Sequence, residues 1–157
     1  MSNISVKNPI SLSKFFICDK IRGKGGRMNI KDVIGGFFNV AEVKTGEVFK
    51  VITPLILFGK TPFVFYVEKC EEGFKITDRK LACFYFAQLF DLSSPDVKSC
   101  VREVLALNKV HMKKAEIFVF AKDEVDFNQN LANFMVAISQ IVRMEAFFDD
   151  PVKEYRK

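Results

Sequence analysis

Residues 39–77 most constrain what this chain can fold into. Four stretches of largely apolar, β-prone sequence follow one another there, with turn residues between them. Residues 39–44 and 47–54 flank Thr45-Gly46. Gly59-Lys60-Thr61-Pro62 then turns the chain, and Glu71-Glu72-Gly73 separates 63–70 from 74–77. A period of two sends successive side chains to opposite faces, and glycine supplies the positive φ of a tight turn. The block therefore reads as a meander of four antiparallel strands. In the third strand Phe63, Phe65 and Val67 share one face and Val64, Tyr66 and Glu68 the other. Pro54 lacks an N–H, so it is expected to close its strand or to lie at an edge.

Helical periodicity takes over on both sides of this block. Asn29 can cap a short helix over 30–38 that contains Gly35-Gly36. Residues 81–90 are apolar all round, which predicts a buried helix. Ser94-Pro95-Asp96 is a start signal, with an N-cap, proline in the first turn and an acid at the positive end. That helix should reach about residue 108 and bury Val97, Val101, Val104 and Leu105. Residues 111–113 and 116–121 read as extended. A long helix over 123–148 follows, with Leu131, Phe134, Met135, Ile138, Ile141 and Val142 on one stripe that Phe148 continues. The order predicts an α+β fold, an antiparallel strand meander packed against three to four helices.

Charge divides the chain differently. The formal net charge is +5. Residues 1–27 hold six basic side chains (Lys7, Lys14, Lys20, Arg22, Lys24 and Arg27) against Asp19 alone, and the 18 basic and 18 acidic side chains of the remainder cancel. The expected organisation is a basic N-terminal arm over 1–27 and a single domain over 28–157. Such an arm attracts polyanions, which makes Lys14, Lys20, Arg22, Lys24 and Arg27 candidates for contact with nucleic acid or an acidic partner. No stretch approaches the roughly 20 apolar residues of a membrane-spanning helix, so no membrane association is expected. Phe15-Phe16-Ile17-Cys18 is too short for a secretory core, and the four cysteines are expected as reduced thiols in a cytoplasm.

Three short motifs point to a family. They are Thr53-Pro54-Leu55, the strand Phe63-Val64-Phe65-Tyr66-Val67, and Gly73-Phe74-Lys75-Ile76-Thr77-Asp78. Together they resemble the prokaryotic and phage family called domain of unknown function 1828, and the helices that follow are similar in order over about residues 30–148. The resemblance implies a phage or mobile-element protein. It also implies an acidic loop after the Thr-Pro strand, where this chain has Ile56-Leu57-Phe58-Gly59-Lys60. Members often continue Thr-Asp with Asp-Gly, and here Arg79-Lys80 stands instead.

The residues that chemistry would need are sparse. A zinc site needs clustered ligands, but there is one histidine, His111, and no Cys-x-x-Cys pair, so no metal and no cofactor are expected. Gly23-Lys24-Gly25-Gly26-Arg27 lacks the spacing of a nucleotide loop. A restriction-like nuclease is the catalytic alternative. Asp32 and Glu42 would hold Mg²⁺, and Lys44, two residues beyond Glu42, would share its strand face. Val64, Tyr66 and Tyr85 are candidates for a protein interface, including one between two copies of this chain. The leading expectation is a non-enzymatic protein that binds and inhibits a host protein or ribonucleoprotein in the manner of an anti-defence inhibitor. Nucleic-acid binding through the arm is the alternative.

Overall fold

A computed structural model of the chain describes residues 29–36, 38–58 and 61–144. A short helix α1 (Ile30–Ile34) leads into four strands, β1 (Asn39–Lys44), β2 (Val48–Phe58), β3 (Thr61–Cys70) and β4 (Gly73–Thr77). Helices α2 (Leu81–Leu89) and α3 (Pro95–Leu107) follow, then the hairpin β5 (His111–Lys113) and β6 (Glu116–Ala121), then α4 (Glu124–Arg143). The strands form one antiparallel sheet in the order β1-β2-β3-β4-β6-β5. This is the expected α+β fold. The meander makes four neighbouring strands, and the late hairpin adds β6 beside β4.

The sheet is covered on one side. The buried cluster takes from β2, β3, β4 and β6 only the residues of one face: Phe49, Val51, Phe63, Phe65, Val67, Ile76, Ile117, Val119 and Ala121. Residues of α1, α2, α3 and α4 belong to the same cluster, so the described helices lie on that face. Phe134 of α4 anchors it, with ring centroids 6.3 Å from Phe63 and 5.7 Å from Phe65. Such pairs add to area burial through the ring quadrupoles. No described helix covers the other face.

Several boundaries differ from expectation for local reasons. Helix α1 ends at Ile34 because Gly35 and Gly36 cannot sustain it, although Asn29 caps it as expected by accepting from the Lys31 N–H. Pro54 does not close β2. The strand runs on to Phe58 because Pro54 lies past Ile52, the last β2 residue that pairs with β1. The pairing with β3 shifts register there, and Thr53 holds the irregularity. Its hydroxyl donates to the Phe63 carbonyl at 2.9 Å and accepts from the Leu55 N–H at 3.2 Å. Helix α2 is not buried all round: Ala82 and Phe86 are buried, but Phe84 is 66% exposed. Ser94 is the N-cap of α3 without a side-chain capping bond, and α4 is described to Arg143, with Phe148 outside the described residues.

Asp78 ties these pieces together. Its carboxylate is fully buried and accepts from three backbone N–H groups, those of Lys80 at 3.0 Å, Ala82 at 2.9 Å and Ile117 at 2.8 Å. One side chain thus caps α2 and fixes the start of β6 against the end of β4. Replacing Asp78 with alanine strands these donors and should cost about 3 kcal/mol or more in urea unfolding, whereas Asp78→Asn, which keeps a carbonyl acceptor, should cost less. Gly73 has φ +137, and a Cβ there would run into the Ala121 carbonyl oxygen. Gly73→Ala should therefore destabilise by at least about 2 kcal/mol in the same measurement.

Candidate functional site

The uncovered face of the sheet carries rings and charges side by side. Strand register lines up Lys50, Tyr66, Thr77, Phe118 and His111 across five strands. The next line runs Val48, Glu68, Lys75 and Phe120. Neighbouring strands are about 4.8 Å apart, so rings on adjacent strands touch. His111 lies 5.7 Å from Phe118 at an interplanar angle of 34°, and Phe118 lies 5.4 Å from Phe120, nearly edge-on at 71°. Phe120 is 54% exposed.

Each of two rings carries a cation. The Arg79 guanidinium stands over Tyr66 at 4.3 Å from the centroid, and its Nε donates to Glu68 at 2.7 Å. The Lys75 ammonium lies 4.9 Å from the Phe118 centroid and 2.7 Å from Glu116. Thr77, buried under this layer, donates its hydroxyl to Glu116 at 2.6 Å and accepts from the Arg79 N–H at 3.0 Å. The face therefore presents flat rings with cations already seated on them, and both of its carboxylates are engaged.

Backbone conformation at one end of this face is unusual. Among the described residues five non-glycine positions have positive φ, and four of them are Arg79 (49°), Lys80 (70°), Lys114 (50°) and Ala115 (67°). Residues 79–80 join β4 to α2, and 114–115 form the β5–β6 turn. The two loops meet because the Asp78 N–H donates to the Ile117 carbonyl at 3.1 Å while Asp78 accepts from the Ile117 N–H. A left-handed conformation costs a side chain about 1–2 kcal/mol relative to glycine, yet three of these four positions carry cations.

Electrostatics within the cluster run in opposite senses. Burial works against the Glu116 charge, but Lys75 and the Thr77 hydroxyl outweigh it and hold its carboxyl below the ordinary value. Burial raises Asp78 despite its three N–H donors, and the nearby Glu116 charge raises it further. Cys83, on the opposite side of the sheet near Met112, is pushed up to about 11, by burial first and then by the Asp78 charge, so it is no thiolate nucleophile at neutral pH.

The residues singled out from the sequence fall in different places. Val64 and Tyr66 lie on the uncovered face, half-buried. Tyr85 belongs to α2, on the helix side, where its ring is 5.9 Å from Phe84. Glu42 and Lys44 do not share a face, contrary to simple alternation. A bulge between them sets Glu42 opposite Phe49 on the helix side and Lys44 opposite Val48 on the uncovered side. Glu42 bonds Lys31 at 2.7 Å, and Lys44 pairs with Glu47. Asp32 lies in α1, and among the described residues no three His, Cys, Asp or Glu side chains are grouped to hold a metal ion. Lys14, Lys20, Arg22, Lys24 and Arg27 lie outside the described residues. Phe118, Phe120, Lys75 and Arg79 were not foreseen as site residues. The available signal was β6 itself, where Ile117, Val119 and Ala121 alternate with two further aromatics.

No protein-family model, no curated protein and no solved structure matches this chain.

The lowered Glu116 value sets a pH dependence. Its contribution to stability is present above the ordinary carboxyl value of 4.5 and is lost as pH falls through the lowered folded value. Urea unfolding of wild type and Glu116→Gln should therefore differ at neutral pH, with wild type the more stable, and converge in acid. Asp78 has the opposite sign, its raised value making ionisation costly to the fold as pH rises through it.

Proposed function

We propose that this chain is a non-enzymatic binding protein whose uncovered sheet face is its contact surface, and that it acts by occupying a surface of a host protein or ribonucleoprotein. The observation that carries this reading is the group of rings Tyr66, Phe118, Phe120 and His111 on β3, β6 and β5, on a face that no described helix covers. Antiparallel sheets usually turn polar residues to water on such a face. Here Ile52, Val64, Tyr66, Phe118 and Phe120 share it instead, and exposed apolar surface of this kind, rimmed by charge, marks contact sites.

The engaged ion pairs fit the same reading. Arg79 and Lys75 are held over rings before any partner arrives, which lowers the entropy lost on binding. The basic residues 1–27 would add long-range attraction to an acidic or phosphate-bearing partner. Inhibition of a host complex by steric occlusion is a role that suits such a surface. Tyr85, on the other side of the molecule, is not part of it.

Affinity capture from host lysate with immobilised protein separates this from other arrangements. A component bound by wild type should fall at least tenfold with Tyr66→Ala/Phe120→Ser and be retained by Lys98→Ala, on the exposed side of α3. Retention by the double variant, with loss on Phe84→Ser, would move the contact to the helix layer.

A further inference from the structure

Resting on that reading of the face, we infer that what it takes is a single-stranded nucleic acid, with Tyr66, Phe118 and Phe120 as stacking platforms and Lys50, Lys75, Arg79 and Lys113 facing the phosphates. Three observations lead there. Single strands are held by flat side chains on which bases stack, together with cations that follow the backbone, and the register places these two kinds of group on one face. Phe120 offers an open ring, 54% exposed, and the Arg79 guanidinium over Tyr66 offers a second flat, cationic surface on which a base can lie.

Charge is the second observation. Across β2 to β6 and the loop after β4 this face carries Lys50, Lys75, Arg79 and Lys113 against Glu68 and Glu116, an excess of two positive charges. Both carboxylates are tied to cations of the same cluster, at 2.7 Å in each case, so neither is free to repel a phosphate. A net positive face of this kind attracts a polyanion.

The strained corner is the third. Arg79, Lys80 and Lys114 occupy left-handed positions that glycine would fill at lower cost. Strained backbone that carries exposed cations beside a ring face is what a contact site retains against stability. Glycine at position 80 should therefore improve the fold and impair binding together, a combination that a purely structural role for Lys80 does not produce.

The test uses fluorescence anisotropy of the full-length chain with short labelled oligo(U), oligo(dT) and a duplex of the same length, at about 50 and about 200 mM salt. Wild type is expected to prefer the single strands and to weaken steeply with salt. Phe120→Ala should reduce affinity about five- to tenfold or more, from loss of one stacked base. Arg79→Ala should weaken binding and flatten the salt dependence. Lys80→Gly should raise the melting temperature while lowering affinity, and a chain without residues 1–27 should bind more weakly yet keep its preference for single strands. Melting curves of each variant establish that it is folded. Equal affinity for duplex and single strand, or single-strand binding that Phe120→Ala and Arg79→Ala leave unchanged, would overturn the inference. No oligonucleotide binding at all, together with capture that still depends on Tyr66 and Phe120, would overturn it too, but would leave the face standing as a protein contact.

Discussion

The Asp78 carboxylate is the interaction on which the rest of the structure depends. The sheet is assembled from a meander of neighbouring strands and a hairpin that arrives after two helices. Something must fix where the late hairpin joins, and a slip of one residue would exchange the two faces of β6. Asp78 accepts from the Ile117 N–H and its own N–H donates to the Ile117 carbonyl, which pins that register at one point. The same carboxylate caps α2 through Ala82, so the turn into the helix and the pairing of β6 are set by one buried group. Thr77 acts similarly on the other face, where its hydroxyl joins Glu116 to the 79–80 loop. The Thr-Asp pair is in this chain a structural device, and the candidate contact surface is positioned by it.

That placement has a consequence for the sheet as a whole. With α4 over β4 and β6, α2 against β6 and α3 toward β5, the helices fill one side, and apolar residues of the opposite parity on β2, β3 and β6 meet no described helix. Sheets with one wet face ordinarily carry polar residues there. This one carries rings, and the cations over Tyr66 and Phe118 shield their faces from water without burying them.

Much of the architecture was legible in the residues. Period-two alternation in Phe63–Val64–Phe65–Tyr66–Val67 separates the two faces of β3 correctly, and the buried one is the wholly apolar set Phe63, Phe65 and Val67. Asn29, Asp123 and Pro95 mark helix starts where the structure has them, since capping is decided by local chemistry. The bulge that separates Glu42 from Lys44 was not legible. It lies within β1, ahead of the three-residue connection Thr45-Gly46-Glu47, and alternation counted along the strand alone cannot detect it. The site was legible only in part for a related reason. Tyr66 stands out within β3, but Phe118 and Phe120 alternate with equally apolar partners, and which parity is covered depends on helices far away in sequence. Arg79 was recognised only as a departure from the expected Asp-Gly, and its place over Tyr66 follows from a left-handed turn that no periodicity encodes.

The departure at 79–80 links fold to the proposed binding role. At the turn after β4, glycine would satisfy φ of 70° without penalty, and the Asp78 cap needs only the backbone N–H of residue 80. Nothing in the capping geometry calls for a cation at either position. Arg79 does gain the Tyr66 ring and the Glu68 carboxylate, but an ion pair this exposed is worth at most about 1 kcal/mol, and the cation–ring contact adds about 0.5–1 kcal/mol. Those gains are comparable to the cost of one left-handed residue, and the Lys80 charge in turn favours the ionised Glu116 carboxyl. The proposed contact with a polyanion would give both cations a further use at this edge of the ring face.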